Sequence, residues 1–170
     1  AIKAQELIDD FESPNARSSV DTLWVNSTDS GVDATKMLFG RVARNGGDHA
    51  LSVTARMSEK DRAYGRAGIP LGRGAIGPVG ASAVRGVRFD ARGDADYQLI
   101  VSGYGAPNFH PPFKASPQWQ TIRIDFASLK QPQDQSALWP GDKLRTLSFE
   151  IARPAGAFAW LEIDNLRFYR

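Results

Sequence analysis

Polar side chains alternate with apolar ones in four short segments of the sequence. These side chains are Arg88, Asp90, Gln98, Arg123, Asp125 and Glu150. Such residues donate and accept hydrogen bonds, so together they could hold a polar ligand. Two carboxylates a few ångströms apart could also hydrolyse a glycosidic bond. However, arginines interleaved with the acids favour the ionised carboxylate over the proton donor that hydrolysis needs. The pattern therefore favours binding over catalysis.

No other motif in the sequence points to catalysis. The chain has no cysteine, which excludes disulfides, thiolate metal sites and cysteine nucleophiles. Its two histidines, His49 and His110, have neither a metal-binding spacing nor a nucleophile motif beside them. Residues 72–77 have the G-x-G-x-x-G spacing of a dinucleotide site, but Pro78 and Gly80 follow where that site needs a helix. We interpret these glycines as a strand bend or bulge.

Length and charge restrict the architecture and the partners. A chain of 170 residues has the usual size of one domain, so we expect a single domain over residues 1–170. The net charge is only +2 and the arginines are scattered, so we expect no nucleic-acid partner. No apolar run approaches the ~20 residues of a membrane helix, so we expect no membrane insertion. We expect a monomer.

Hydrophobic periodicity predicts the fold class. Short runs with period-two alternation recur between clusters of Gly, Pro, Asn, Asp and Ser, as is typical of an all-β sandwich or barrel. Ten strands are predicted, near residues 7–12, 23–26, 36–42, 49–57, 67–77, 85–91, 96–103, 119–126, 144–152 and 157–168. This number suits two packed sheets. Asn45-Gly46-Gly47 is predicted to be a hairpin turn, and residues 105–117 and 130–143 to be long loops.

Alternation also assigns the side chains of the strands to two faces. Phe89, Tyr97, Phe126 and Phe149 fall on inward positions. The polar side chains from Arg88 to Glu150 fall on outward positions. If the four strands that carry them share one sheet, these polar side chains form a single outer face. We predict that this face is the functional surface.

Several segments form a pattern whose order is more specific than any one of them. They are VRGVRFDARGD at 84–94, YQL at 97–99, WQTIRIDF at 119–126 and LEIDNLRF at 161–168, preceded by IDDFE at 8–12 and Trp24. Together they resemble the complex I intermediate-associated protein 30 family over nearly the whole chain. That family is similar in fold to family 11 carbohydrate-binding modules. The resemblance therefore implies a two-sheet jelly-roll β-sandwich, galactose-binding-domain-like, without a catalytic centre.

The resemblance also suggests the kind of larger protein to which this domain belongs. Bacterial domains of this family are often attached to hydrolases, including amidohydrolases, and the N-terminal residues here lack the apolar stretch of a signal peptide. We therefore expect an accessory domain excised from a larger bacterial hydrolase, periplasmic or secreted. One loop departs from the family pattern, because Asp29-Ser30-Gly31-Val32-Asp33 replaces a Gly-Gly-x-Ser element.

A carbohydrate or a related polar ligand would suit the predicted face. Sugars stack their C–H faces on aromatic rings, and their hydroxyls pair with polar side chains. Tyr104 is the aromatic residue that we add to the candidate ligand-binding set. Other possible aromatic platforms are Phe109, Trp139 and Trp160, whereas Trp24 and Trp119 are expected to pack in the core or at its rim. The alternative is a protein interaction or assembly module that uses the same face.

The resemblance points to one possible cofactor, a structural calcium ion. Jelly rolls of this class often hold calcium where the first and last strands meet, and Glu12 and Asp164 match the acidic positions. Calcium takes six to eight oxygen ligands, so loop carbonyls and Asp10 would have to join them. The alternative is that both acids cap strand ends and pair with arginines.

Overall fold

The computed structural model describes residues 2–75, 77–105, 107–129 and 141–170. In these ranges the regular structure consists of β-strands and short 3-10 turns, and the strands form two packed sheets. None of the helical segments found there has the length and apolar character needed to cross a membrane. The structure confirms the all-β, two-sheet prediction.

The ten predicted strands each overlap an observed strand, and three short strands, β1, β7 and β10, are additional. The strands are β1 (Ile2–Lys3), β2 (Leu7–Asp9), β3 (Val25–Thr28), β4 (Lys36–Arg44), β5 (Asp48–Arg56), β6 (Tyr64–Pro70), β7 (Val79–Gly80), β8 (Gly86–Gly93), β9 (Asp96–Gly103), β10 (Pro112–Lys114), β11 (Gln120–Asp125), β12 (Leu144–Ala152) and β13 (Phe158–Tyr169).

Two long strands organise the sheets. In the seven-stranded sheet, β12 pairs with β6 on one side and β9 on the other, β3 lies beyond β6, and β10 lies beyond β9. The short strands β7 and β1 continue this sheet from the beginning of β12. In the six-stranded sheet, β13 lies between β5 and β8, with β4 and β11 as the outer strands and β2 beside the end of β13.

Three buried phenylalanines connect the two sheets. Phe89 of the six-stranded sheet packs edge-on against Phe149 and Phe113 of the seven-stranded sheet, with ring centroids 5.0 and 5.1 Å apart. Edge-to-face pairs of this kind contribute about 0.5–1.5 kcal/mol each beyond the burial of their area. Tyr97 and Phe126 are buried as well, so the inward positions assigned by alternation are confirmed.

The expectation that four polar strands share one sheet is wrong. β8 and β11 belong to the six-stranded sheet, whereas β9 and β12 belong to the seven-stranded sheet. The short connection after Gly93 crosses from one sheet to the other instead of closing a hairpin. Alternation places a side chain inside or outside, but it does not say which sheet holds the strand. Strands that follow each other in the sequence often pair, but β8 and β9 do not, because they lie in different sheets.

Two loops differ from the sequence prediction and one agrees with it. β6 ends at Pro70, and Arg73–Ala75 form a 3-10 turn, so the glycine-rich segment is a turn rather than a strand bend. The proline-rich segment 105–117 contains β10, an edge strand, where a proline is tolerated. Asn45–Gly47 connect β4 to β5 as predicted.

Asp29 fastens the loop between β3 and β4, the loop that departs from the family pattern. Its carboxylate accepts hydrogen bonds from the backbone N–H of Thr35 at 2.9 Å, the Thr35 hydroxyl at 2.5 Å and the backbone N–H of Tyr64 at 3.0 Å. Burial raises the pKa of Asp29, but these bonds and the charge of Lys60 outweigh it and lower the pKa to about 2. The loop is thus held to β6 by an ionised carboxylate.

We predict an acid-dependent contribution of Asp29 to stability. Because the folded-state pKa lies below the ordinary value of 3.8, the contribution is complete above that value and is lost as the pH falls towards 2. Asp29→Ala should lower the free energy of unfolding at pH 7 by about 1–3 kcal/mol. The difference in the free energy of unfolding between Asp29→Ala and the wild type, measured by urea unfolding, should become smaller as the pH is lowered. Asp61→Ala, at an exposed position, is the control, and a gap independent of pH would contradict the prediction.

We also predict that Gly93 cannot carry a side chain. A Cβ atom at this position would lie 2.3 Å from the Tyr97 hydroxyl oxygen and 2.9 Å from its Cζ atom. That hydroxyl accepts the Asp94 backbone N–H at 2.8 Å and shares its single proton between the Asp94 carboxylate, at 2.6 Å, and the Trp160 carbonyl, so the ring is not free to move. Gly93→Ala should therefore lower the free energy of unfolding by about 1–3 kcal/mol.

The matched control for this prediction is Gly40→Ala. A Cβ atom on Gly40 meets nothing within 4 Å, so this variant should change the free energy of unfolding by less than about 0.5 kcal/mol. Equal effects of the two substitutions in thermal unfolding would show that Tyr97 does not limit the space at Gly93.

Candidate functional site

The predicted site residues are divided between the two outer surfaces of the sandwich. Gln98 and Glu150 are cross-strand neighbours on the outside of the seven-stranded sheet, a surface named here the Glu150 face. The outside of the six-stranded sheet is named the Arg88 face, and it carries Arg88, Asp90, Arg123 and Asp125. The single polar face predicted from the sequence does not exist, because the strands that carry its halves lie in different sheets.

Glu150 lies at the middle of a polar row on its face. Arg66 of β6 and Gln98 of β9 flank it on the two neighbouring strands. Arg66 Nε donates to Glu150 Oε2 at 2.6 Å, and both side chains are partly exposed. Gln98 is half-buried, and its side-chain amide makes no hydrogen bond with a described residue. The row therefore offers a guanidinium, a carboxylate and an amide side by side.

An aromatic ring and a histidine border this row. The guanidinium carbon of Arg66 lies 4.8 Å from the centre of the Tyr64 ring, which is half-buried. On the other side, Leu99 N–H donates to the Pro111 carbonyl, which holds the 109–111 segment along the edge of β9. Burial lowers the pKa of His110, and the charges of Glu150 and Arg66 act on it in opposite directions. A half-buried histidine therefore lies near this ion pair.

Tyr104 lies at the end of the Glu150 face where β12 begins. Its backbone N–H donates to the Lys143 carbonyl at 2.8 Å, and its ring is 38% exposed. The guanidinium carbon of Arg145 lies 5.5 Å from the ring centre. The structure thus brings Tyr104 to the same sheet as Gln98 and Glu150, although at some distance from them. Trp139, another aromatic residue considered from the sequence, lies outside the described residues.

Asp90 on the Arg88 face is engaged in structural bonds. Its carboxylate accepts hydrogen bonds from Arg44 Nη1 at 2.9 Å, the Thr121 hydroxyl at 2.9 Å and the Asn165 amide at 3.0 Å. Burial raises the pKa of Asp90, but these bonds and the Arg44 charge outweigh it and lower the pKa. Asp90 therefore has little capacity left for a ligand.

Two tryptophans on this face are packed against arginines. The Trp119 ring lies 4.0 Å from the guanidinium carbon of Arg44 and 5.8 Å from that of Arg92. Arg92 also approaches the Trp160 ring at 5.2 Å and forms a two-point ion pair with Glu162, at 2.8 and 3.2 Å. Trp119 thus packs at the rim, as the sequence analysis expected, and Trp160 is covered in part by Arg92.

Arg88 and Arg123 are direct neighbours across β8 and β11. Arg88 is half-buried, and Arg123 is exposed with its guanidinium carbon 4.4 Å from the centre of the Tyr169 ring. Asp125 follows on the same strand and is exposed. The structure thus confirms that these two arginines share a surface.

The two acids expected to bind calcium lie in one corner of the sandwich. Glu12 accepts the His49 backbone N–H at 2.7 Å and contacts His49 Nδ1 at 2.6 Å. Asp164 is fully buried and accepts Arg44 Nη1 at 2.8 Å. Asp48 lies within hydrogen-bonding reach of both carboxylates. Burial and the charge of Asp48 raise the pKa of Asp164 to about 6, although Arg44 opposes this.

This corner contains carboxylate oxygens that could bind calcium, but the Arg44 guanidinium already bonds the buried carboxylate of Asp164. Among the described residues, no three acidic, histidine or cysteine side chains are arranged to hold a metal ion. Asp10 does not face the others, since its carboxylate accepts the Glu12 backbone N–H at 3.1 Å. As placed, the residues fit an arginine-neutralised pair better than a cage of six oxygens.

Arg66 and Tyr64 are site residues that the sequence pattern did not indicate. Tyr64 and Arg66 alternate with buried Gly65 and Ala67, but the two small residues hide the period-two signal, so the strand was predicted to begin later. For His110, the sequence left open a ligand contact from its loop but favoured packing on the neighbouring prolines, because its approach to Glu150 depends on how the 109–111 segment pairs with β9.

Comparison with known proteins supports the fold. No protein-family model matches the chain, and no curated protein matches it. The family 11 carbohydrate-binding module from Clostridium thermocellum, solved with a β-1,3-1,4-mixed-linked tetrasaccharide, superimposes with a TM-score of 0.72 at 17% identity. The match covers 99% of this chain and 97% of that chain.

Two further structures extend the comparison. The module TmCBM61 in complex with β-1,4-galactotriose superimposes with a TM-score of 0.53 at 17% identity, covering 98% of this chain and 99% of that one. An exo-β-agarase matches with a TM-score of 0.61 at 13% identity, covering 96% of this chain but only 25% of the agarase chain. The chain has the jelly-roll β-sandwich fold that is found in carbohydrate-binding modules.

Proposed function

We propose that this domain is a non-catalytic carbohydrate-binding module that holds a sugar chain on the Glu150 face. The observation that carries the proposal is the row of Arg66, Glu150 and Gln98 with the Tyr64 ring beside it. Its guanidinium, carboxylate and amide can pair with sugar hydroxyls, and the ring can pack against a sugar C–H face.

The length of the face suits a chain of several sugars rather than a single one. Tyr64 pairs with Ala152 at one end of β12, and Tyr104 lies at the other end beside Arg145. Gly103, next to Tyr104, pairs with Leu144, eight residues before Ala152, so at about 3.4 Å per residue the two tyrosines are roughly 27 Å apart along the strand. A ligand that follows β12 would meet an aromatic ring near each end and the polar row near Tyr64.

The polar row supports binding rather than hydrolysis. Glu150 accepts a charge-assisted hydrogen bond from Arg66, and its neighbours across the sheet are an arginine and a glutamine, not a second carboxylate. A two-carboxylate hydrolase needs a partner acid at a fixed distance on the same surface. Asp90 and Asp125, the acids considered from the sequence, lie on the opposite side of the sandwich.

The comparisons support this proposal through the fold. Structures with the same fold at low identity include modules solved with a mixed-linked tetrasaccharide and with galactotriose. The match to one quarter of an exo-β-agarase supports an accessory domain within a larger hydrolase. We also propose that the chain belongs to the complex I intermediate-associated protein 30 family and is galactose-binding-like. The attached hydrolase is proposed to be an amidohydrolase.

A protein interaction module is the second candidate. The observation that favours it is an apolar groove at one end of the Arg88 face, where Leu38 and Phe158 are 76% and 77% exposed beside Trp160. Exposed apolar groups gathered in one place are typical of protein contacts. A glycan array separates the two candidates, because the first requires binding to at least one oligosaccharide and the second allows none.

We predict that sugar binding depends on the Glu150 face. With an oligosaccharide identified on the array, Tyr64→Ala and Gln98→Ala should each weaken binding about tenfold or more, because each removes a packing surface or a hydrogen bond made in the complex. Isothermal titration calorimetry measures the change. Thr54→Ala, exposed on the opposite sheet, is the matched control and should bind as the wild type does.

Wild-type affinity of both variants for the oligosaccharide would contradict this prediction. If Tyr64→Ala and Gln98→Ala bind with wild-type affinity while their thermal unfolding shows intact folds, the sugar binds elsewhere on the molecule. An array with no binding at all would favour the protein interaction module.

The calcium ion between Glu12 and Asp164 stays a prediction. If it binds, it must compete with Arg44 for the buried carboxylate, and we expect the melting temperature to rise in millimolar calcium relative to chelator, since binding to the native state stabilises it. Asp164→Asn should remove that rise. Identical melting curves of the wild type in calcium and in chelator would leave Arg44 as the counter-charge of Asp164 and contradict the ion.

A further inference from the structure

Three arginines form a continuous row across the Arg88 face. Arg123 of β11 pairs in register with Arg88 of β8, which pairs in register with Arg167 of β13. The residues on both sides of Arg88 and of Arg167 are buried in the core, so these arginine side chains point outward. With neighbouring strands about 4.8 Å apart, the row places the backbone positions of three arginines within about 10 Å.

This row differs from Arg44, Arg66 and Arg92, because none of its members has an acidic partner among the described residues. Arg44, Arg66 and Arg92 each form an ion pair. Among the described residues, no carboxylate lies within 4.0 Å of a guanidinium nitrogen of Arg88, Arg123 or Arg167. Like charges opposite each other in a sheet destabilise it, so the row has an energetic cost that the fold does not offset locally.

The nearest acids on this face do not neutralise the row. Asp90, next to Arg88 on β8, is already bonded to Arg44, Thr121 and Asn165. Asp125, next to Arg123 on β11, is exposed and forms no ion pair with a described residue. The row therefore retains a net positive charge.

Two buried polar atoms, one in the row and one near it, have no hydrogen-bond partner among the described residues. They are Arg167 Nε and the Tyr169 hydroxyl, and Tyr169 is only 7% exposed. A buried donor without a partner costs about 1–3 kcal/mol, so native proteins keep few of them. Both atoms belong to β13, on the strand that contributes Arg167 to the row. Because both atoms are covered in the free domain, a bound group with acceptor oxygens reaches these donors only when the two side chains turn outward.

Tyr169 also holds Arg123 in place. Its ring lies 4.4 Å from the Arg123 guanidinium carbon, although the two residues are on strands separated by β8. This contact is possible because Gly86 lies between them: a Cβ atom there would be 3.0 Å from Tyr169 Cε1 and 2.1 Å from the Ile124 carbonyl oxygen. The guanidinium at the exposed end of the row is thus oriented before any ligand arrives.

We propose that Arg88, Arg123 and Arg167 form an anion site that binds the sulfate or carboxylate groups of an acidic polysaccharide. Guanidinium forks match the planar geometry of a carboxylate and the oxygens of a sulfate, and they bind either through paired hydrogen bonds. The site is open on the side of β11, whose outward residues are exposed, so a polymer can lie across it. It is on the sheet opposite the Glu150 face and does not depend on sugar binding there.

The experiment compares binding of the intact domain to dextran sulfate, polygalacturonate and unmodified dextran by affinity electrophoresis and calorimetry. We expect binding to at least one charged polymer and none to dextran, and the charged polymer that binds identifies the group as sulfate or carboxylate. Binding to neither charged polymer, or equal binding to dextran, would overturn the proposal. A DNA duplex bound as tightly, with the same dependence on the row, would overturn the assignment to a polysaccharide.

Arginine variants locate the site. Arg88→Gln and Arg167→Gln should each weaken binding to the charged polymer at least tenfold, and Arg88→Lys should keep the charge but lose part of the affinity. Arg56→Gln, which removes one exposed arginine from the other end of the same face, should change affinity less than twofold. An equal loss in Arg56→Gln and Arg88→Gln would show that only net charge matters and would overturn the site.

Stability provides a second readout that does not depend on the polymer. Because Arg88→Gln and Arg167→Gln relieve like-charge repulsion, their melting temperatures at low salt should equal or exceed that of the wild type.

Gln98→Ala on the Glu150 face should leave binding to the charged polymer unchanged. If Gln98→Ala lost affinity for the charged polymer, the anion would bind on the Glu150 face and not on the arginine row. If no oligosaccharide on the glycan array bound but the charged polymer bound through the arginine row, only the function proposed for the Glu150 face would be refuted.

Discussion

The edge-to-face contacts of Phe89 with Phe149 and Phe113 are the interaction on which the rest of the molecule depends. Without cysteine, no disulfide can substitute for the core, so the two sheets are held by apolar packing. Every strand that carries a candidate ligand-binding residue gives its alternate side chains to this interior. The outward positions are therefore fixed by the inward ones, and both outer faces inherit their geometry from the same layer of aromatic rings.

The two faces use their polar residues differently. On the Arg88 face, Arg44 bridges Asp90 and the buried Asp164, and Arg92 joins Glu162 and two tryptophans, so a large part of the polar surface is occupied by the fold itself. On the Glu150 face, Arg66 pairs with Glu150 and Lys114 with Asp96, and Gln98 makes no side-chain hydrogen bond with a described residue. The row of Arg88, Arg123 and Arg167 on the Arg88 face has no acidic partner among the described residues. A sandwich of this kind can thus present a hydrogen-bonding surface on one side and a charged one on the other.

The sequence was sufficient to predict each long strand and the direction of its side chains, because period-two alternation depends only on local burial. Phe89, Tyr97 and Phe149 could be placed in the core in this way. The assignment of Gln98 and Glu150 to the same surface as Arg88 failed because sheet membership depends on long-range pairing, which alternation does not encode. Arg167 illustrates the same limit. It lies 79 positions after Arg88 in the chain, and only the register of β13 with β8 makes the two side chains neighbours.

β8 begins and ends with a glycine, and each glycine faces a tyrosine from another strand. The Tyr169 ring lies against Gly86 and the Tyr97 hydroxyl against Gly93. If β8 slid by two residues to a register that keeps its faces, a side chain would enter one of these rings. The two tyrosines therefore act as stops that define where this strand can sit, so the outer surface of β8 keeps its spacing to its neighbours even when the residues on that surface are exchanged.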